Sequence, residues 1–191
     1  MIFKETEDHK NNADVFSGGQ YYNMWDKYAL SYKLGAEMLA EKISSDNSII
    51  DYLVYPLIFL YRQYFELRFK EILFTSQEFN EDEVEIPYHH NLTKIWQKCE
   101  ERIRLIRPET DHDHLNKIKE VLYGFEKYDK DSFAFKYPTD KQGNPNLISL
   151  NSIDIPLFLD SIASSVSFLE SIKGLISATI DFKDPLLQDY R

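Results

Sequence analysis

The stretch Ile49 to Phe74, IIDYLVYPLIFLYRQYFELRFKEILF, constrains this chain more than any other. Eleven of its first thirteen residues, Ile49 to Tyr61, are apolar or aromatic. A helical segment of that composition has no face to give to water, so other elements must enclose it. Polar residues then arrive in a pattern: Arg62, Gln63, Glu66, Arg68, Lys70 and Glu71. Arg62, Glu66 and Lys70 fall at i, i+4 and i+8 and share one stripe of a helix. The pattern predicts a central helix that is enclosed in its first half and amphipathic in its second, where it leaves the core and shows one polar face. Asp51, Pro56 and Arg62 keep the apolar run too short and too interrupted to span a bilayer, which takes roughly 20 apolar residues.

A chain of 191 residues that is 43% hydrophobic can enclose such a helix within one domain. Residues 1–16 read as a lead-in and 17–191 as a single helical domain. The 22 basic and 32 acidic residues leave a formal charge of −10. That excludes a protein that coats nucleic acid or anionic membrane by overall charge, but not a small local basic site. Cys99 is the one cysteine, so no internal disulfide is available, and it sits among apolar positions. With no apolar segment in MIFKETEDHKNNAD to act as a secretory signal, the expectation is a cytoplasmic protein.

Five helices can be read in order. After Ser17-Gly18-Gly19, Tyr21, Trp25, Tyr28, Tyr32, Gly35 and Leu39 follow helical spacing and predict a helix over about 20–43 with a seam of large aromatics. Ser44 to Ser48 is a turn that caps the central helix, and Pro56 predicts a kink or an early start within it. Thr75 to Asn91 reads as a loop, acidic at Glu81, Asp82, Glu83 and Glu85. A third helix, Leu92 to Ile106, carries Leu92, Ile95, Trp96, Cys99, Ile103 and Ile106 inward and Lys94, Lys98 and Arg102 outward. Pro108 suits the first position of a fourth helix, which runs to about Lys127 on Leu115, Ile118, Val121, Leu122 and Phe125. Residues 129–151 hold an irregular loop or short hairpin. The last helix starts near Asp154 and runs to about Ile180 on Phe158, Ile162, Val166, Leu169, Ile172 and Ile176. The expected fold is an all-α bundle of about five helices.

Several groups of residues carry possible chemistry, each beside a plainer reading. The Arg62, Glu66, Lys70 stripe is either an i, i+4 ion-pair ladder or a charged site. Arg107 with His112 or His114 would suit metal-independent RNA cleavage, in which imidazole moves protons and guanidinium stabilises phosphate charge; the same residues suit a solvated helix start. In Asp111-His112-Asp113-His114 the two imidazoles diverge on a helix, so no metal or cofactor site is expected. His89-His90-Asn91 supplies either a helix cap packed on the central helix or a catalytic imidazole. Lys136-Tyr137-Pro138 supplies a cation and an aromatic ring beside a rigid turn, suited to a phosphate or a base, or simply a packed loop. No glycine-rich phosphate loop, paired-cysteine zinc pattern or nucleophile elbow is present.

Three segments in order, YRQYFELRFKEIL, HNLTKIWQ and DSFAFKYPTDKQG, together resemble HEPN domains (higher eukaryotes and prokaryotes nucleotide-binding) over about Tyr52 to Ile180. In that family a helix with a Glu-Leu-x-x-Lys-like pattern precedes a His-x-Leu helix start, a loop like Ala-Arg-Tyr-Pro-Asp and a long final helix. The resemblance implies a helical bundle that commonly dimerises, of the kind frequent in prokaryotic defence, toxin–antitoxin and abortive-infection systems. It implies binding of RNA, a nucleotide or a partner protein from the same operon, and in active members a metal-independent endoribonuclease using Arg, four to six residues, then His. Glu66 matches the family's polar residue in the second helix, and Lys136 stands where the loop often has Arg. Arg62, Glu66, His90 and Lys136 are then the expected binding residues. Arg107, His112 and His114 are the formal match to the catalytic pattern, one segment earlier than the family places it. Three expectations follow: a dimeric defence or stress module that binds RNA, nucleotide or partner; an active endoribonuclease; or a purely structural helical adaptor.

Overall fold

The structure is a computed structural model that describes residues 21–80 and 85–188, with side chains over 24–77 and 85–179. Five α-helices account for most of them: α1 (Tyr21–Ser45), α2 (Ile50–Asn80), α3 (Leu92–Ile106), α4 (His112–Asp129) and α5 (Ile155–Gln188). A single 3₁₀ turn, Asn47–Ile49, leads into α2, capped by the Asp46 carboxylate, which accepts from the Ser48 amide. The fold is an all-α bundle. The expected lead-in, the Ser17-Gly18-Gly19 break and the acidic centre of the 75–91 loop lie outside the described residues.

Helix α2 is the axis of the bundle and packs against α1, α3 and α5, while α4 lies against α3 and α5. Leu57, Ile58, Tyr64, Phe65, Phe69, Ile72 and Leu73 are all buried. Aromatic contacts join α2 to its neighbours: Phe69 lies 5.0 Å from Trp96 of α3, Phe65 6.1 Å from Phe125 of α4, and Tyr61 6.1 Å from Phe158 of α5. Edge-on and tilted ring pairs at these separations add modestly to the area they bury.

The structure departs from the sequence reading in four places. The second half of α2 does not leave the core: Arg62, Glu66, Arg68, Lys70 and Glu71 are all buried, because each charge has a partner inside the bundle. Helix α2 also continues through Thr75 and Ser76 to Asn80. Those two hydroxyls donate back to the carbonyls of Glu71 and Leu73, so polar side chains stay satisfied within the helix. On α1 the buried centre is Ala29, Ala36 and Ile43, with Tyr28 half exposed. Small residues let α1 approach α2 closely; a Cβ on Gly35 would stand 3.3 Å from Leu60 Cδ1. Finally, α4 begins at His112 rather than Pro108. Residues 107–110 close a turn, Thr110 N donating to Arg107 O, and Asp111 is the N-cap.

The 129–151 segment is irregular and contains a tight turn. Asn146 N donates to Pro138 O at 2.8 Å and Asp140 N to Asn144 O at 2.9 Å, with Gly143 at φ 84° where the turn needs a left-handed residue. Asp154 caps α5 by accepting from Leu157 N. Among the described residues, Ile155–Thr179 of α5 is long and apolar enough by composition to cross a bilayer, at a mean hydropathy of 1.3. Two of its three charges, Glu170 and Lys173, nevertheless reach into the bundle, to Arg68 and Asp26.

Candidate functional site

Arg62 and Glu66 stand one turn apart on α2, facing the start of α3 and the end of α4. The Arg62 guanidinium is fully buried and spent on five groups. Its NH1 donates to Glu66 Oε2 at 3.2 Å and its NH2 to the His90 carbonyl at 2.6 Å. Nε and NH2 donate to the carbonyls of Asp129 and Lys130, where α4 ends. A guanidinium on those carbonyls satisfies acceptors that the helix leaves open and complements its negative end. Arg62 Nε also lies 3.4 Å from Asp129 Oδ2.

Glu66 gathers three cationic or donor groups. Besides Arg62, it holds Lys70 Nζ at 2.9 Å and His90 Nδ1 at 2.8 Å, both on Oε1. Burial alone would raise the Glu66 pKa, but the bonds from Lys70 and His90 outweigh it and hold the carboxyl below its ordinary value. An ionised carboxylate only accepts, so His90 Nδ1 carries a proton and the other edge of the ring is turned away. The His90 side chain is 61% exposed while the carboxylate beneath it is 4% exposed. Carboxylate, then imidazole, then solvent is the order that fixes a tautomer and presents Nε2 outward.

Asp129 organises the loop on the other side of Arg62. Its Oδ1 accepts from the amides of Phe133 and Ala134 at 2.6 and 2.7 Å. Burial raises the Asp129 pKa, and these bonds with Arg62 do not fully offset it. Gln63 donates to Ser132 Oγ at 2.8 Å, pinning a residue held at φ 58°. The loop so anchored forms one wall of a cleft of about 650 Å³ whose other wall is the first turns of α2. Asp51, Tyr55, Lys136, Tyr137, Asn146 and Asn151 supply its polar lining. Phe133 and Tyr137 pack ring on ring at 4.5 Å, and Lys136 Nζ lies 5.5 Å from the Phe59 ring centroid.

Four sequence-predicted residues thus fall around the loop and α2. Arg62, Glu66 and His90 form one bonded unit, and Lys136 belongs to the neighbouring cleft. Arg107, His112 and His114 do not come together as a catalytic set; each is engaged elsewhere on the surface. Arg107 pairs with Glu109 at 3.4 Å and lines a separate groove with Ile172 and Ile176. His112 Nδ1 lies 3.4 Å from Arg104, whereas His114 contacts Asp111 and stacks on Phe168 at 5.2 Å. Lys98 of the α3 basic stripe pairs with Glu85. Cys99 is fully buried, which pushes its thiol pKa well up. No group of three or more metal-ligating side chains converges among the described residues.

A second buried network went unread in the sequence. Arg68 joins Asp26 of α1 at 2.7 Å, Glu71 at 2.8 Å and Glu170 of α5 at 3.0 Å. Tyr64 donates to Glu170, and Lys173 pairs with Asp26. The available signal was the i, i+3 pair Arg68–Glu71 set among Phe65, Phe69 and Ile72, positions too apolar for a water-facing stripe. Set beside known proteins, the chain matches no family model, no curated protein and no solved structure.

Proposed function

We propose that the chain is a HEPN-like helical module of the prokaryotic defence or stress type, a cytoplasmic dimer that binds RNA or a nucleotide through the cleft between α2 and the 129–151 loop. The observation that carries this is the composition of that cleft: Lys136 and Tyr137 side by side, with Asn146 and Asn151 opposite the start of α2. A cation meets phosphate, an aromatic ring stacks a base, and amides pair with base edges, which is how single-stranded RNA is held. The overall charge of −10 makes this a local site.

A second reading, a metal-independent endoribonuclease, is favoured by the Glu66–His90 pair. In that reading the exposed His90 imidazole is the general base, Glu66 orients it, and Arg62 and Lys70 hold Glu66. His112 and His114, in separate environments, would take no part.

One experiment separates these readings. A fluorescent single-stranded RNA is titrated with the purified protein in EDTA, following anisotropy for binding and gel mobility for cleavage. Lys136→Glu and Tyr137→Ala are each expected to weaken binding about tenfold, as losing one phosphate contact or one stacked base does. Cleavage by the wild type that His90→Ala abolishes and His112→Ala spares would establish the enzyme. Absence of both binding and cleavage, for RNA and for free nucleotides, would leave the structural adaptor.

A further inference from the structure

The cleft between α2 and the 129–151 loop contains a group that phosphate binding does not account for. Its lining carries two charged residues, Lys136 from the loop and Asp51 from α2. A carboxylate in a site for a polyanion costs affinity unless it meets a donor of its own. Asp51 stands in the first turn of α2, where an acidic side chain suits the positive end of the helix dipole. Its carboxylate is nevertheless exposed to the cleft, and no hydrogen bond or ion pair engages it among the described residues. Tyr55 follows Asp51 by four residues, so the two side chains are neighbours on one stripe of α2. Tyr55 is 49% exposed, and Tyr137 of the loop 52%. The loop segment that carries Lys136 and Tyr137 is held in place by Asn146, whose Nδ2 donates to the Tyr137 carbonyl at 2.8 Å and whose amide donates to that of Pro138 at 2.8 Å.

We propose that Asp51 makes this cleft selective for guanine. A base stacked on Tyr55 lies with an edge beside Asp51, and an ionised carboxylate can only accept hydrogen bonds. Guanine alone among the four bases presents two adjacent donors on its Watson–Crick edge, N1–H and the N2 amine. They match the two oxygens of one carboxylate in parallel bonds. Adenine and cytosine place a ring-nitrogen lone pair beside their single amine, and uracil flanks its N3–H with two carbonyls. Each of those edges sets a lone pair against the carboxylate. The edge is open to such contacts in a single strand or a free nucleotide and closed in a duplex. In a nucleotide it points away from the phosphate, as the helix wall with Asp51 faces the loop wall with Lys136. The inference rests on the nucleotide-binding reading above and names the base that reading leaves open.

The test measures binding of the full chain to a fluorescent heptauridylate whose central nucleotide is guanosine, adenosine, cytidine, uridine or inosine. The guanosine strand is expected to bind about tenfold more tightly than the adenosine, cytidine and uridine strands, the discrimination of one good bidentate pair. Inosine lacks the N2 amine and is expected to bind like uridine. Asp51→Asn keeps the shape of the side chain but replaces one acceptor oxygen with a donor. In that variant the guanosine strand is expected to fall to the level of the other strands. Unlabelled GMP and AMP, added as competitors, separate the two sources of the base. A guanine preference in the strands alone assigns the site to RNA, and the same preference between GMP and AMP extends it to free nucleotides. Equal binding of all five strands, inosine bound as tightly as guanosine, or a guanosine preference that Asp51→Asn retains would each overturn the selectivity while leaving nucleotide binding in place. No binding of any strand or competitor would remove the nucleotide-binding reading itself, and the selectivity with it.

Discussion

Two carboxylates on α2, Glu66 and Glu71, are both buried and both paired with arginine, yet their pKa values are shifted in opposite directions. Desolvation raises the Glu71 pKa, and Arg68 does not bring it back to its ordinary value. At Glu66 the same desolvation is overcome by Lys70 and His90, and its pKa is lowered. The linkage signs follow. Glu66 contributes stability that is fully present above its unfolded value and is lost as pH falls through its lower folded pKa. Glu71 prefers its proton in the fold, so its contribution is present below the unfolded value and declines as pH rises through the folded one. Glu66→Gln is therefore expected to cost about 3 kcal/mol at pH 7, since it leaves Lys70 buried without its carboxylate. Glu71→Gln is expected to cost less than half as much, with Arg68 still held by Asp26 and Glu170. Urea unfolding at pH 7 and again at pH 4 checks both. The gap between the variants should narrow at pH 4, and equal costs at pH 7 would refute the opposite shifts of the two carboxylates.

At the scale of elements, sequence reading succeeded where helix ends are signalled locally and failed where distant contacts decide. The bounds of α3 were legible because Asn91 precedes an uninterrupted apolar face. Its side chain does accept from Lys94 N at 2.9 Å. Asn91→Ala is expected to lower stability by about 1 kcal/mol, the usual cost of losing such a cap, and Asn91→Asp to retain it. Thermal unfolding of both variants decides this, with an unaffected Asn91→Ala ruling out the cap as a stability element. The start of α4 was misread because Pro108 suits a first helical turn equally well outside one. The end of α2 was misread because Thr75 and Ser76 look like loop residues until their hydroxyls are seen to close on the preceding turn. The distant partners of Arg68 were illegible for a different reason. They come from α1 and α5, 42 and 102 residues away from Arg68, and nothing near any of them marks the others.

For the molecule as a whole, the tension lies between a charge of −10 and a proposed polyanionic ligand. Nucleic acid binding by spread charge releases many counterions and weakens steeply with salt; for a single strand the slope of log K against log salt is roughly −0.7 per phosphate neutralised. With 22 basic against 32 acidic residues, the overall charge offers no such spread. Arg62, Lys70 and Arg68 are buried against carboxylates, and Lys98 is paired at the surface. In the cleft the one basic side chain is Lys136, and most of the remaining affinity must come from ring stacking and amide hydrogen bonds. RNA binding is therefore expected to show a slope of about −0.7 to −1.4, corresponding to one or two phosphates at most. Lys136→Glu should reduce that slope by close to one phosphate's share, whereas Tyr137→Ala should lower affinity at every salt concentration and leave the slope unchanged. Anisotropy titrations from 50 to 400 mM salt measure all three. A slope steeper than about −4 would mean that cations well outside this cleft hold the RNA, and the binding site would have to be moved to another face of the bundle.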